Sequence, residues 1–226
     1  MIQKISGALW GCGDRVPDQQ IIIVNPESLS TCAWNEVGEI WVSGPSITQG
    51  YWERPEETKE VFEATLADTG EGPFLRTGDL GFIQDNELYI TGRLKDILII
   101  RGQNYYPHDI EKTVEQSHAG LRLDAGATFS VEVTGEEQLV VIHEVKRHHK
   151  FDSHEEVVTS VREAIAEEHG LGVYAFVLIR THSLLKTSSG KVKRFDCKKR
   201  YMEDQLNVIA QCKNNKFLIC DDSYFK

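Results

Sequence analysis

The chain lacks any Cys-x-x-Cys pair, has no excess of positive charge and contains no long apolar run. Cys12, Cys32, Cys197, Cys212 and Cys220 are its five cysteines. None stand at Cys-x-x-Cys spacing, and their number is odd. That pattern suits free thiols in a reducing, cytoplasmic setting rather than a disulfide framework. On composition alone a catalytic cysteine stays open. No stretch approaches the ~20 apolar residues that span a bilayer. The N-terminus lacks a basic segment followed by an apolar core, so no secretory signal is evident. The formal net charge of −10 argues against general nucleic-acid binding, because phosphate repels an acidic surface. Internal repeats and low-complexity tracts are also missing.

What is present fits an ordinary globular protein. Hydrophobic residues make up 40% and charged residues 27% of the 226 positions, enough for one large domain or two small ones. Histidines crowd within residues 143–154: His143, His148, His149 and His154. They suggest a metal site, but their spacing is neither helical nor that of a hairpin. A strand end, a polar loop and a helix start account for them, and no metal ligand is assigned.

Gln20–Val24 and Glu39–Ser43 read as strands, the first closed by Asn25-Pro26. Pro55 opens a helix over PEETKEVFEATL, with proline and early glutamates suited to a helix start. Leu80–Gln84 and Leu88–Thr91 read as a hairpin around Asp85-Asn86. Ile97–Ile100 reads as a buried strand, and Pro107 starts a helix to about Ser117. Residues 126–133 and 138–146 read as strands joined by Gly135-Glu136-Glu137. Ser153 and Glu156 form a capping box before a helix that places Val157, Val158, Val161, Ala164 and Ile165 on one face. Gly170 ends that helix. Val173–Ile179 is a further strand, and a basic helix runs from about Phe195 to Asp204. Residues 206–226 carry no clear pattern. The fold class is therefore α+β: a small β-rich subdomain, then a compact α+β domain, with the boundary near Arg93–Asp96.

Two segments carry the chemistry. The first is Arg76-Thr77-Gly78-Asp79, followed by GRLKDILIIRGQNYYPHDIE from Gly92 to Glu111. The second is LLKTSSGKVKR, from Leu184 to Arg194. Taken alone, SSGK invites comparison with a phosphate-binding P-loop. That motif needs a glycine at Leu185 and a hydroxyl at Val192, so the spacing fails. Together the two segments resemble the C-terminal signature of the adenylate-forming ligases, and RGQNYYPHDIE is most similar to the fatty acyl-AMP ligases. The resemblance covers roughly residues 10–205.

The resemblance implies a division into residues 1–94, the end of an AMP-binding domain; residues 95–205, a C-terminal lid; and an atypical tail, 206–226. It implies that Lys191 contacts the carboxylate and α-phosphate oxygens during adenylation. Asp79 would accept hydrogen bonds from ribose hydroxyls, and Arg93 would lie against the nucleotide. As a purely structural residue, Asp79 would cap a turn before the strand at Leu80. Lys95 would be the hinge of the lid, where many members carry aspartate; its plain reading is an exposed lysine. Gly102 would lie in the loop presented for acyl transfer. Tyr51 and Trp52 read as core aromatics. The basic run Lys186–Arg200, with seven Lys or Arg and one acid, reads by default as a solvated helix face; nucleic acid, a nuclear-import receptor or an acidic protein would also suit it, and the resemblance adds docking of an acidic acyl carrier protein.

The implied reaction joins a fatty acid to ATP, with Mg2+, and passes the acyl group to an acyl carrier protein phosphopantetheine or to CoA. The family's Ser/Thr-Gly-rich phosphate loop, its Tyr-Gly-x-x-Glu segment with the magnesium ligands, and its acyl tunnel have no counterpart in this sequence. The chain is expected to need the N-terminal part of such an enzyme and to be inactive alone. The alternatives are an acyl-CoA ligase fragment and a non-catalytic interaction module. Neither a membrane span nor a nucleic-acid partner is expected.

Overall fold

The computed structural model describes residues 11–12, 18–147, 154–214 and 216–220. Of the sequence readings, His148, His149, Ser153 and most of the irregular stretch 1–18 lie outside the described residues, as does the side chain of His154. The chain divides into two compact units, Met1–Lys95 and Asp96–Lys226.

The first unit is built on an antiparallel sheet of β1 (Gln20–Val24), β2 (Gly38–Ser43), β3 (Leu75–Gln84) and β4 (Glu87–Arg93), in that spatial order. Val24, Trp41, Leu66 and Phe74 form its core. Asp85 and Asn86 have φ of 50° and 69°, a two-residue turn whose twist matches that of the paired strands. Phe82 and Tyr89 stack beyond it at 5.2 Å between ring centroids. Helix α1 (Pro55–Phe62) starts at the predicted proline but stops four residues short of Leu66. The reason is Ala64, which leaves the helix to exchange two backbone hydrogen bonds with Phe74. Tyr51 and Trp52 are not core: Trp52 is 88% exposed, and Tyr51, also exposed, only rests edge-on against Phe62.

The second unit opens with a 3-10 turn, Leu94–Asp96, that straddles the boundary, and with a short hairpin, β5 (Leu98–Ile100) and β6 (Gln103–Tyr105). After α2 (Pro107–Ser117) come β7 (Leu121–Val133), β8 (Glu136–Val145), α3 (His154–His169), β9 (Val173–Ile179), α4 (Arg194–Met202), β10 (Val208–Lys213) and β11 (Lys216–Ile219). Strands β7–β11 form one sheet in the order β11-β10-β9-β8-β7. All pairs are antiparallel except β8 with β9, where α3 makes the crossover that parallel pairing requires. The central strands are therefore covered on both faces and read as nearly continuous apolar runs. Val141, Val145, Phe176 and Leu178 face Ile110 and Val114 of α2 and Val157, Val161 and Ile165 of α3. Val140, Ile142, Ala175 and Val177 pack on the other side with Phe129, Leu184 and Cys197.

Three boundaries differ from the sequence reading. β7 begins at Leu121, and its turn into β8 is the two-residue Thr134-Gly135. The strand predicted at Ile97–Ile100 is only Leu98–Ile100, with Ile99 59% exposed at a sheet edge. Residues 208–213 and 216–219, which carry no pattern by eye, extend the sheet as β10 and β11. A register shift between Val208 and Ala210 puts Ile209 and Ala210 in the core side by side, which erases the period-two signal.

His143 lies in the middle of this sheet and is completely buried. Its Nδ1 is 3.0 Å from the Glu144 carbonyl, and its Nε2 has no partner among the described residues. The ring occupies space left by Gly126 on the neighbouring strand, where an added Cβ would come within 2.7 Å of it. Burial lowers the His143 pKa to about 4. The unfolded chain binds the proton near pH 6.5, the folded chain only near pH 4. Stability from this site is thus complete above pH 6.5 and falls by about 3 kcal/mol by pH 4. Glu144, with its pKa held low, adds a loss of the same sign at lower pH; Asp109 and Glu111, raised by burial, oppose it. Urea unfolding of the wild type should weaken between pH 7 and 5, and His143→Leu should abolish most of that slope. An undiminished slope in the variant would place the acid sensitivity elsewhere.

Candidate functional site

In the first unit, Asp79 and Arg93 face each other across the antiparallel pair β3–β4. The Arg93 Nε donates to Asp79 Oδ1 at 2.9 Å. Asp79 was expected at a turn before a strand; it lies within β3, because that strand starts at Leu75. Its carboxylate is about one-third exposed and the Arg93 side chain two-thirds. An ionised carboxylate has about four lone-pair sites. Asp79 therefore keeps acceptor capacity for hydroxyl groups beside a guanidinium able to meet oxyanions.

A residue not singled out from the sequence builds this arrangement. Glu39 of β2 is 2% exposed. Its Oε2 accepts from the Trp41 indole at 3.0 Å and from Arg76 Nε and a terminal nitrogen at 3.1 and 2.8 Å; its Oε1 accepts from the Gly78 amide at 3.2 Å. The Arg76 guanidinium also lies 5.6 Å from the Trp41 ring centroid. Thr77 donates to the Ile40 carbonyl at 2.7 Å and accepts from the Asp79 amide at 3.0 Å. Each residue of Arg76-Thr77-Gly78 thus ties the backbone before Asp79 to β2.

Lys95 is exposed within the 3-10 turn, and the division between units falls directly after it. In the second unit Gly102 and Arg101 form the two-residue turn of the β5–β6 hairpin, with φ of 73° and 53°. Such a turn needs left-handed backbone at both central positions, and glycine takes it without steric cost. Nothing lies within 4 Å of where a Gly102 Cβ would be, so this tip is open.

Lys191 closes a tight loop on an exposed edge of the same unit. Thr187 organises the loop. Its amide donates to the Lys191 carbonyl at 2.8 Å, its hydroxyl accepts from the Lys191 amide at 3.0 Å, and its carbonyl accepts from the Gly190 amide at 2.9 Å. Below, Lys186 bridges to Val192 and the Lys193 amide donates to the Leu185 carbonyl at 2.9 Å. The backbone is fixed while the ammonium is free to reach outward: among the described residues no ion pair engages Lys191.

Both ends of the loop are anchored by carboxylates, Glu144 buried and Glu111 partly buried. Before it, Glu144 accepts from the Leu184 amide at 2.7 Å and from Arg122 at 2.6 Å. Burial alone would raise this carboxyl, but the Leu184 and His182 amides and Arg122 hold it low. Leu184 is itself buried, contributing roughly 1.5–3 kcal/mol. After the loop, Arg194 grips Glu111 with Nε at 2.8 Å and a terminal nitrogen at 2.6 Å, and reaches Asp96 at 3.3 Å. Glu111 also accepts from the Thr128 amide at 2.8 Å. Burial pushes the Glu111 carboxyl up against the pull of Arg194, and its hydrogen bonds raise the Arg194 guanidinium further. Glu111 and Arg194 stand inside the two sequence motifs, but only the folded chain shows them as a pair.

The structure thus brings Asp79 and Arg93 into contact, and sets Gly102 and Lys191 on separate exposed turns of the second unit. Among the described residues, no group of three or more His, Cys, Asp or Glu is placed to hold a metal ion. No helix among them is long and apolar enough to cross a membrane.

These motifs, on these two units, define the C-terminal portion of the adenylate-forming ligase fold. The profile of the family described as Disco-interacting protein 2-like, AMP domain, matches residues 95–211, and the chain belongs to that family. It is 53% identical over 197 residues to the medium-chain-fatty-acid–[acyl-carrier-protein] ligase JamA of Moorena producens, covering 87% of this chain and 33% of JamA. It is 42% identical over 196 residues to the putative fatty-acid–CoA ligase fadD21 of Mycobacterium leprae, covering 83% of this chain and 33% of that protein. A solved structure of fatty acyl-adenylate ligases from E. coli and L. pneumophila matches with a TM-score of 0.69 and 34% identity, over 87% of this chain and 33% of that one. The chain spans about a third of the length of the curated relatives it matches.

Proposed function

We propose that this chain is the nucleotide-flanking strand pair, hinge and lid of a fatty acyl-AMP ligase. Joined to an N-terminal ligase body, it would help convert a fatty acid and ATP to acyl-AMP and pyrophosphate, then deliver the acyl group to the phosphopantetheine thiol of an acyl carrier protein. The observation that carries the reading is the hydrogen-bonded loop that presents an exposed Lys191, in a chain that also sets Asp79 beside Arg93.

Adenylation brings two anions together and expels pyrophosphate, so positive charge must meet the developing negative charge. In this reading Lys191 supplies it to the carboxylate and α-phosphate oxygens. Asp79 accepts from the ribose hydroxyls of ATP, and Arg93 holds Asp79 and faces the nucleotide. Lys95 is the pivot that alternates the Lys191 loop with the Gly102 hairpin. Among the described residues no group of three or more His, Cys, Asp or Glu is placed to hold a metal ion, and no step is assigned to Mg2+ here. The five free cysteines suit a reducing, cytoplasmic setting.

ATP–pyrophosphate exchange with fatty acids of several lengths tests the reading. The 226-residue chain alone should show none, and the chain fused behind the N-terminal body of a relative should show it. No exchange from the fusion would sink the proposal. The likeness to fadD21 favours a second reading, acyl-CoA formation. Offering carrier protein and CoA as acceptors separates the two: preferential loading of CoA would replace the first with the second.

Lys95→Pro in the same fusion should separate the half-reactions. Proline fixes φ near −65° and removes a donor, and domain alternation concentrates its dihedral change in very few residues. Acyl-AMP should form while transfer to the thiol is impaired. Wild-type rates in both steps from a folded variant would move the hinge elsewhere.

A further inference from the structure

Arg194 occupies a position that the lysine loop alone does not require. It begins α4 three residues after Lys191, yet its guanidinium spans two other parts of the second unit. Nε and one terminal nitrogen form a fork on Glu111 of α2; the remaining terminal nitrogen reaches Asp96, the last residue of the turn that contains Lys95. The two contacts differ in character. The Glu111 pair is short, two-pronged and largely shielded, with side-chain exposures of 23% for Arg194 and 13% for Glu111, and Glu111 is further held by the Thr128 amide. Breaking one partner of such a pair leaves an uncompensated charge in low dielectric. The Asp96 contact is single and longer, at 3.3 Å, with Asp96 39% exposed. An ion pair of that kind is weak and can exchange its partner for water.

We propose that Arg194 is a positioning residue that ties the base of the Lys191 loop to the hinge. Glu111 fixes the guanidinium, and the Asp96–Arg194 contact is a releasable latch on the end of the turn that carries Lys95. The functional half of this inference rests on the ligase reading above; the latch itself does not. The fork of Arg194 is suited to the task because it holds two carboxylates at once from a planar group. Lysine, a single point charge, can satisfy Glu111 or Asp96 but not both in this geometry.

The test is amide hydrogen exchange on the 226-residue chain. Asp96→Asn should speed exchange in residues 94–98 by about two- to fivefold, the range expected for an exposed pair, and leave residues 185–193 as in the wild type. Glu111→Gln should speed exchange in residues 185–193 by about tenfold or more. Arg194→Lys should affect both segments. The double variant Asp96→Asn with Arg194→Lys should exchange no faster at residues 94–98 than Arg194→Lys alone, because the two act through one contact. An unchanged hinge segment in Asp96→Asn, or additive effects in the double variant, overturns the latch. In the fusion enzyme, Asp96→Asn should shift the ratio of thiol transfer to adenylation by about two- to fivefold with an unaltered KM for ATP, which a merely structural aspartate would not do. An unchanged ratio overturns the hinge bias. A fusion inactive with the wild-type sequence overturns the ligase reading instead, and the exchange pattern still decides the latch.

Discussion

Lys191→Ala in the fusion enzyme should lower adenylation by about 10²–10³ and leave acyl transfer from preformed acyl-AMP near the wild-type rate. The magnitude is that of losing one preorganised donor to a charged transition state. The selectivity follows from the loop. What fixes it is the Thr187 hydroxyl and amide, which bond the Lys191 backbone, and the anchors at Leu184 and Arg194. None of these uses the Lys191 side chain, so truncating it removes charge without moving the loop. Stability should therefore change by less than about 0.5 kcal/mol, as for an ordinary surface substitution. Thr187→Val is the complementary case. It keeps the ammonium but deletes the hydroxyl that holds the loop, so adenylation should fall with Lys191 still present. Separate assays of the two half-reactions check both variants. Equal losses in both half-reactions for Lys191→Ala would remove its assigned role.

Much of the fold was legible in the sequence because local chemistry and tertiary context agree. Asp85-Asn86 forms the expected turn, Pro107 starts α2, and the apolar positions of α3 face the core. The failures have local causes. The register shift at Val208–Ala210 hid β10. Tyr51 and Trp52, aromatics that read as core, lie on an irregular segment before α1, where no strand or helix period marks the buried side. Aromatic character alone does not decide burial.

The candidate site was legible in a narrower sense. Motifs named Asp79, Arg93, Lys95, Gly102 and Lys191, and the structure puts Asp79 against Arg93. The supporting carboxylates were not legible. Glu39 and Arg76 are 37 residues apart, and Glu111 and Arg194 are 83 apart. A single sequence holds no record of which distant charges meet. A signal was nonetheless available for Glu39: it is the one charged residue in the strand EIWVS, and a buried charge in a strand demands a partner.

Glu39→Ala should destabilise the first unit by about 3 kcal/mol and weaken nucleotide binding by the fusion enzyme. Glu39 accepts four hydrogen bonds, from the Trp41 indole, two nitrogens of Arg76 and the Gly78 amide, and is essentially inaccessible to water. Alanine deletes all four acceptances at once. The Trp41 nitrogen, on a fully buried side chain, loses its acceptor, and the guanidinium of Arg76 loses its counter-charge. Breaking a buried ion pair typically costs about 3–5 kcal/mol. The lower end applies because Arg76 is one-quarter exposed and can turn toward water. Glu39→Gln should lose less, since it keeps one carbonyl acceptor but turns an amide donor toward other donors. Glu39→Leu with Arg76→Leu should cost less than the sum of the two single changes, because it leaves neither charge stranded. The functional effect travels through the backbone: Gly78 precedes Asp79, so releasing its amide frees the strand segment that sets the Asp79 carboxylate beside Arg93. KM for ATP should rise while the adenylation rate at saturating ATP changes less, the pattern of lost ground-state binding. Urea unfolding and ATP-dependent kinetics measure the two arms. A stability loss under about 0.5 kcal/mol, the range of an ordinary surface change, would show that the carboxylate is dispensable to the Arg76–Asp79 segment.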